Sequence, residues 1–209
     1  MTKTRMTAVP AAALAMALTL TACAGEPDDG TPTPEDTPTA QSGASPETGD
    51  ATAHNDADTR FAQMMIVHHE GAIEMAELAV RNATTEEVRA LGERIAEAQG
   101  PEIELMSGWL DAWGEAQPDE ADMTGMGHEG MDMEGMDQEA VMAELTGLDG
   151  ADLDRRFLEL MIEHHKGAIV MAETERADGE NVEATALARR IIDDQTAEIA
   201  EMTNLLNSL

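Results

Sequence analysis

The stretch "MMIVHHEGAIEMAE", residues 64–77, decides the fold because it returns as "LMIEHHKGAIVMAE", residues 160–173. Between 60–77 and 156–173, 12 of 18 positions are identical. Between 87–110 and 183–206, 10 of 24 are. The offset is constant, so the chain carries an ungapped internal duplication. On a helical wheel centred on His68, Phe61, Met64, Met65, Ala72, Met75 and Ala79 fall within about 60° of it. Glu70, Glu74 and Glu77 fall opposite, and His69 lies on the shoulder, about 100° round. Residues 59–80 are therefore expected to form an amphipathic helix with His68 at the centre of its apolar face.

A second helix is expected over 86–113, with Val88, Ile95, Gln99, Ile103, Met106 and Leu110 on one face. Gly100-Pro101 is expected to kink it, since proline removes a backbone donor and crowds the preceding turn. A short helix follows at 138–145, and helices over 152–176 and 181–207 repeat the first two. The identities concentrate on the inward faces: Phe61/Phe157, Met65/Met161, His68/His164, Met75/Met171, Ile95/Ile191, Gln99/Gln195 and Met106/Met202. One helical hairpin cannot bury its apolar face alone. Two hairpins packed face to face give an all-α fold, a four-helix bundle of two duplicated hairpins, over residues 59–209.

A histidine at the centre of an apolar face costs a few kcal/mol unless it finds a partner. Here it occurs at two equivalent positions, each with Met at i−3 and i+7. Met65, His68, His69 and Met75 lie on one helix; Met161, His164, His165 and Met171 lie on its mate. Met106 and Met202 join from the second and fourth long helices. Thioether is a soft ligand that selects Cu(I), while imidazole accepts either oxidation state. The set points to copper, with Cu(I) favoured and Cu(II) accommodated, or to silver. Gln99 and Gln195 fit a supporting role, orienting the imidazoles. Taken singly, a core methionine is a packing residue that fills irregular space.

A separate signal lies in "EAQPDEADMTGMGHEGMDMEGMD", residues 115–137. Met123, Met126, Met131, Met133 and Met136 fall close together around His128, against about one methionine expected from composition. Four glycines accompany them and no apolar periodicity does, so packing is a poor explanation. Several thioethers on such a segment can wrap one soft ion.

The chain has 209 residues, 43 acidic against 12 basic, and a net charge of −31. Nucleic acid is a poor partner for such a chain, and cations are a good one. Two Phe, two Trp and no Tyr leave the core to aliphatic residues and 16 Met. One Cys excludes a disulfide framework and a thiolate zinc site. That Cys23 ends "MTKTRMTAVPAAALAMALTLTAC", which has the basic start, short apolar run and small-residue end of a secretory signal. "LTAC" resembles a bacterial lipobox, so residues 1–22 are expected to be cleaved and Cys23 to carry lipid at the membrane. Cleavage removes Lys3 and Arg5 and takes the net charge to −33. Residues 23–58, rich in Pro, Thr, Gly and acid, are expected to be a disordered tether in which His54 is incidental.

Di-iron chemistry in a bundle needs Glu-x-x-His on inward faces. Met65, Ile66, Met161 and Ile162 stand where those glutamates would be. No Ser-His-Asp set, phosphate loop or Cys-His pair is visible, so the chain is not expected to be an enzyme.

At "FAQMMIVHHEGAIEMAE" and "FLELMIEHHKGAIVMAE", each followed by a "Q..EI..M" helix (Gln99, Glu102, Ile103, Met106; Gln195, Glu198, Ile199, Met202), the chain resembles the domain-of-unknown-function 305 family. The resemblance covers about residues 59–209. It implies an exported protein with a ferritin-like helical bundle that binds copper, as some members do. By motif position it transfers to His68, His69, Met75, His164, His165 and Met171. Two features depart from the pattern: Pro101, where the second half has Ala197, and the Met-rich insert. The reading reached from the sequence is an extracytoplasmic, membrane-anchored copper-binding protein that sequesters the ion or hands it to an envelope protein. Its rivals are a non-metal interaction module with structural histidines and a metal-dependent redox enzyme.

Overall fold

The computed structural model describes residues 52–118 and 138–209. The expected signal segment, Cys23, most of the tether, and Met123, Met126, His128, Met131, Met133 and Met136 lie outside these residues. Five helices and no strand are present among the described residues: α1 (Asp56–Asn82), α2 (Glu86–Trp113), α3 (Gln138–Thr146), α4 (Gly150–Asp178) and α5 (Val182–Ser208). None is long and apolar enough to cross a membrane.

Helix α1 begins earlier than its apolar periodicity suggests. The Asn55 side chain accepts from Ala57 N at 2.8 Å and Asp58 N at 3.1 Å, and Asp58 Oδ2 accepts from Asn55 N at 2.7 Å. This reciprocal capping box satisfies amide groups that a helix start otherwise leaves orphaned. It moves the boundary between tether and helix from Thr59 back to Asn55. His54, expected to be incidental, stacks on Trp113 with ring centroids 4.5 Å apart and planes 7° from parallel. Helix α2 runs unbroken through Pro101, whose ring sits on the solvent side. It ends at Gly114, which adopts the left-handed conformation at φ 76° that favours glycine.

Helices α1 and α2 form one hairpin, α4 and α5 the other, and α1 packs against α4 across the middle. The two hairpins are the duplicated units, so the four long helices make the expected bundle. Helix α3 lies against α1 and α4. Gln138 Nε2 donates to Gly71 O at 3.1 Å, and a Cβ on Gly71 would meet Gln138 Oε1 at 2.9 Å. Glycine at 71 thus makes room for the first residue of α3 to dock on α1.

Reciprocal ties join the halves. The Asp154 carboxylate on α4 accepts from Thr84 N at 2.8 Å, Thr85 N at 2.7 Å and the Thr85 hydroxyl. Its counterpart Asp58 on α1 accepts from Asn181 N at 2.9 Å and Glu180 N at 3.2 Å. Each half thereby satisfies the amides that open the other half's second helix.

The apolar interior is divided. One cluster of buried side chains holds Met75, Met161 and Met202 together with Leu91, Ile95 and Phe157. The other holds Met65, Met106 and Met171 with Phe61, Leu110 and Leu187.

Candidate metal centre

His68 and His164 are 4% and 5% exposed, and their ring centroids lie 3.6 Å apart at 44°. Helical periodicity puts each at the middle of its apolar face, and the packing of α1 on α4 brings the two faces together. Both nitrogens of His68 and Nδ1 of His164 are buried without a hydrogen-bond partner. Burial, reinforced by repulsion from the charged forms of the neighbouring imidazoles, pushes His68 well below its ordinary value of 6.5. The same causes bring His164 down to about 3. Both rings are therefore neutral at physiological pH.

His69 and His165 have a different environment. Both are fully buried, deeper than a shoulder position suggests. His69 Nε2 lies 2.8 Å from Glu102 Oε2, and His165 Nε2 lies 2.7 Å from Glu198 Oε2. A carboxylate oxygen only accepts, so each Nε2 carries the proton and donates it. Nδ1 of each ring is buried and unpartnered. A histidine held by a carboxylate on one nitrogen, with the other free, is the usual arrangement of a metal ligand and its outer partner. Glu102 and Glu198 stand inside the motif "Q..EI..M" of both halves. Their signal was the shared spacing of 33 residues from a histidine in both halves.

Gln99 and Gln195 are buried at 3% and 4% exposure, each with an unpartnered Oε1. The groups seen to orient an imidazole are Glu102 and Glu198, not these glutamines. Met65, Met75, Met106, Met161 and Met202 are fully buried and Met171 is 8% exposed. The sequence groups Met65 with Met75, and Met161 with Met171, because each pair shares a helix. The antiparallel packing of α1 on α4 regroups them, setting Met65 with Met171 and Met75 with Met161.

Among the described residues no three of His, Cys, Asp and Glu stand close enough to hold an ion. Thioether sulfur is the further donor that the buried methionines offer, and it suits the soft ions Cu(I) and Ag(I). Orphaned imidazole nitrogens beside buried methionines fit such an ion.

The family described as Domain of unknown function (DUF305) matches residues 58–206. The chain belongs to the DUF305 family. A DUF305 protein of Streptomyces coelicolor is 37% identical, covering 73% of this chain and 93% of that one with a TM-score of 0.64. A DUF305 fragment from Deinococcus radiodurans is 31% identical over 74% of this chain and 98% of that one, with a TM-score of 0.65. CopM in its Cu(II)-bound form is 30% identical, covering 72% of this chain and 97% of its own, with a TM-score of 0.58. CopM has also been solved with Cu(I) and with silver. No curated protein matches the chain. The all-helical DUF305 fold and its copper-binding structural neighbour agree with what the doubled motif implied.

Proposed function

We propose that this DUF305 protein is an exported, lipid-anchored copper-binding protein that sequesters the ion or hands it to an accepting envelope protein, and that it is not an enzyme. The observation that carries the reading is the His68–His164 pair, two neutral buried imidazoles with orphaned nitrogens on helices that also bury Met65, Met75, Met161 and Met171. The solved complexes of CopM with copper and silver support the choice of ion. Met123, Met126, Met131, Met133 and Met136, with His128, add a second set of soft donors. Cu(I) is the favoured form, and the imidazoles accommodate Cu(II). The lipobox-like end of the signal assigns Cys23 to the membrane anchor.

The deciding experiment exposes the whole mature protein to equal Cu(I), Ag(I), Zn(II) and Fe(II) under reducing conditions, removes free metal, and measures what stays bound. Copper and silver are expected to be retained well above zinc and iron. Zinc retention equal to copper, or no copper at all, overturns the reading. For the anchor, Cys23→Ser is expected to leave the membrane fraction. A variant that stays there as wild type does contradicts lipidation at Cys23.

A further inference from the structure

The duplication makes each half a control for the surface of the other. Through it Arg190 corresponds to Arg94, Leu105 to Glu201 and Val182 to Glu86. In one setting Arg94 on α2 is paired with Glu201 on α5, and Glu86 is paired with Arg89. In the other setting both carboxylates are replaced by apolar side chains. Leu105 and Val182 are 41% and 73% exposed there. With Trp109, Glu183, Ala186 and Arg190 they line a groove between α2 and α5. Among the described residues the side chains of Arg190 and Glu183 make no hydrogen bond or ion pair. An exposed leucine is ordinary by itself. An arginine left without the carboxylate that its twin has, in a chain with 43 acidic residues against 12 basic ones, is not.

We infer that this groove is the interface of a two-fold dimer, in which α5 of one copy lies antiparallel on α5 of a second copy. The patch carries the charge that it lacks. Glu183 and Arg190 stand seven residues apart, two turns along one face of α5 and about 10 Å along its axis. Ala186 lies beside their midpoint, and its small side chain lets two backbones approach. A two-fold axis at that point turns one helix end for end upon the other. Arg190 of each copy then meets Glu183 of the other, so two ion pairs form at once. Such a self-complementary contact closes with two subunits. Val182 and Leu105 leave water, and Arg190 gains the carboxylate that Glu201 supplies to Arg94. The acidic excess of each copy opposes the approach, and salt at about 0.15 M confines that repulsion to about 8 Å. The inference stands apart from the copper-binding reading, since no residue of the groove is among the proposed ligands.

The test is sedimentation equilibrium of the full mature chain carrying Cys23→Ser, which removes lipid and an intermolecular disulfide as causes of association. A chelator keeps the protein metal-free, and the concentration series reaches the millimolar range. A monomer–dimer equilibrium is expected. Arg190→Glu and Glu183→Arg each set like charges opposite one another twice, and each is expected to weaken the dimer at least about tenfold. The two substitutions together exchange the charges and are expected to restore it. Leu105→Glu is expected to weaken it as well, because Arg190 then has the partner within its own chain that Arg94 has in Glu201. Circular dichroism melting checks that each variant is folded. If Arg at 183 disturbs the start of α5, Leu105→Glu and Arg190→Glu decide without it. A chain that is monomeric throughout the series overturns the inference. So does a dimer that survives Arg190→Glu or Leu105→Glu, or a folded double variant that stays monomeric.

Discussion

His68 and His164 differ from His69 and His165 by one hydrogen bond each, and that difference assigns their roles. A ring with no partner is a lone-pair donor that the fold holds at a cost. A ring tied to a carboxylate is held in one tautomer and one orientation. Glu102→Gln with Glu198→Gln keeps the shape of the acceptors and removes their charge. If Nδ1 of His69 or His165 touches the ion, Cu(I) affinity is expected to fall roughly 10- to 100-fold, the usual effect of losing an outer partner. Competition against a Cu(I) chelator measures it, and unchanged affinity removes His69 and His165 from the ligand set. The centring of His68 on its apolar face was legible because a period of 3.6 residues fixes it. The burial of His69 was not, because a wheel treats one helix alone. Helix α2 seals that shoulder, bringing Glu102 from a separation of 33 residues.

The helices themselves were legible almost to their ends, because apolar periodicity extends through each and Gly or Asn punctuates the breaks. The ties between hairpins were not. Asp58 lies in the first turn of α1 and Asp154 one turn into α4, while their partners lie 123 and 70 residues away. The two ties also differ in one donor. Asp154 takes the Thr85 hydroxyl, whereas on the Asp58 side the buried Glu175 carboxyl takes the corresponding role. No N–H or O–H of the described chain points at either Glu175 oxygen, so the two carboxyls pair only by sharing a proton. Burial, then the Asp58 carboxyl and its charge, push Glu175 up from 4.5 to about 8. Burial alone would raise Asp58 as well. The Glu175 carboxyl and the amides of Asn55, Asn181 and Glu180 outweigh it and hold Asp58 below its ordinary value. The signs give a pH profile for the metal-free protein. Glu175 is raised, so its contribution is present in full below pH 4.5 and is lost as pH climbs through about 8. His68 and His164 are lowered, so theirs is present above pH 6.5 and is lost on acidification, for His164 through about pH 3. Each group contributes a slope of up to about 1.4 kcal/mol per pH unit. Stability is therefore expected to rise towards pH 6.5, where two histidines outweigh one glutamate, and to decline from there to about pH 8. Urea unfolding across that range checks it. Glu175→Gln should abolish the alkaline decline, and a decline that survives the substitution contradicts the assignment.

At the scale of the whole molecule, the duplication made the architecture readable: two copies of one hairpin, each with a single apolar face, have few ways to bury it. The grouping of donors was not readable. Met65 and Met75 share a helix in the sequence, yet the antiparallel packing of α1 on α4 places them in separate clusters. The large acidic excess of the chain favours the approach of cations. The central claim is that the core, and not only the Met-rich segment, binds a soft ion. An ion that binds the folded state alone must stabilise it, by about 2.7 kcal/mol at a hundredfold excess over its dissociation constant. Replacing His68 and His164 by Leu should remove that gain. It should also raise the stability of the metal-free protein by about 1–3 kcal/mol, because two desolvated imidazoles become apolar. The most direct measurement is a thermal melt of the chain with Leu at 123, 126, 131, 133 and 136, with and without Cu(I). An upward shift in Tm that disappears in His68→Leu with His164→Leu is the predicted result. An identical Tm with and without Cu(I) would contradict the account and leave the buried histidines as structural residues.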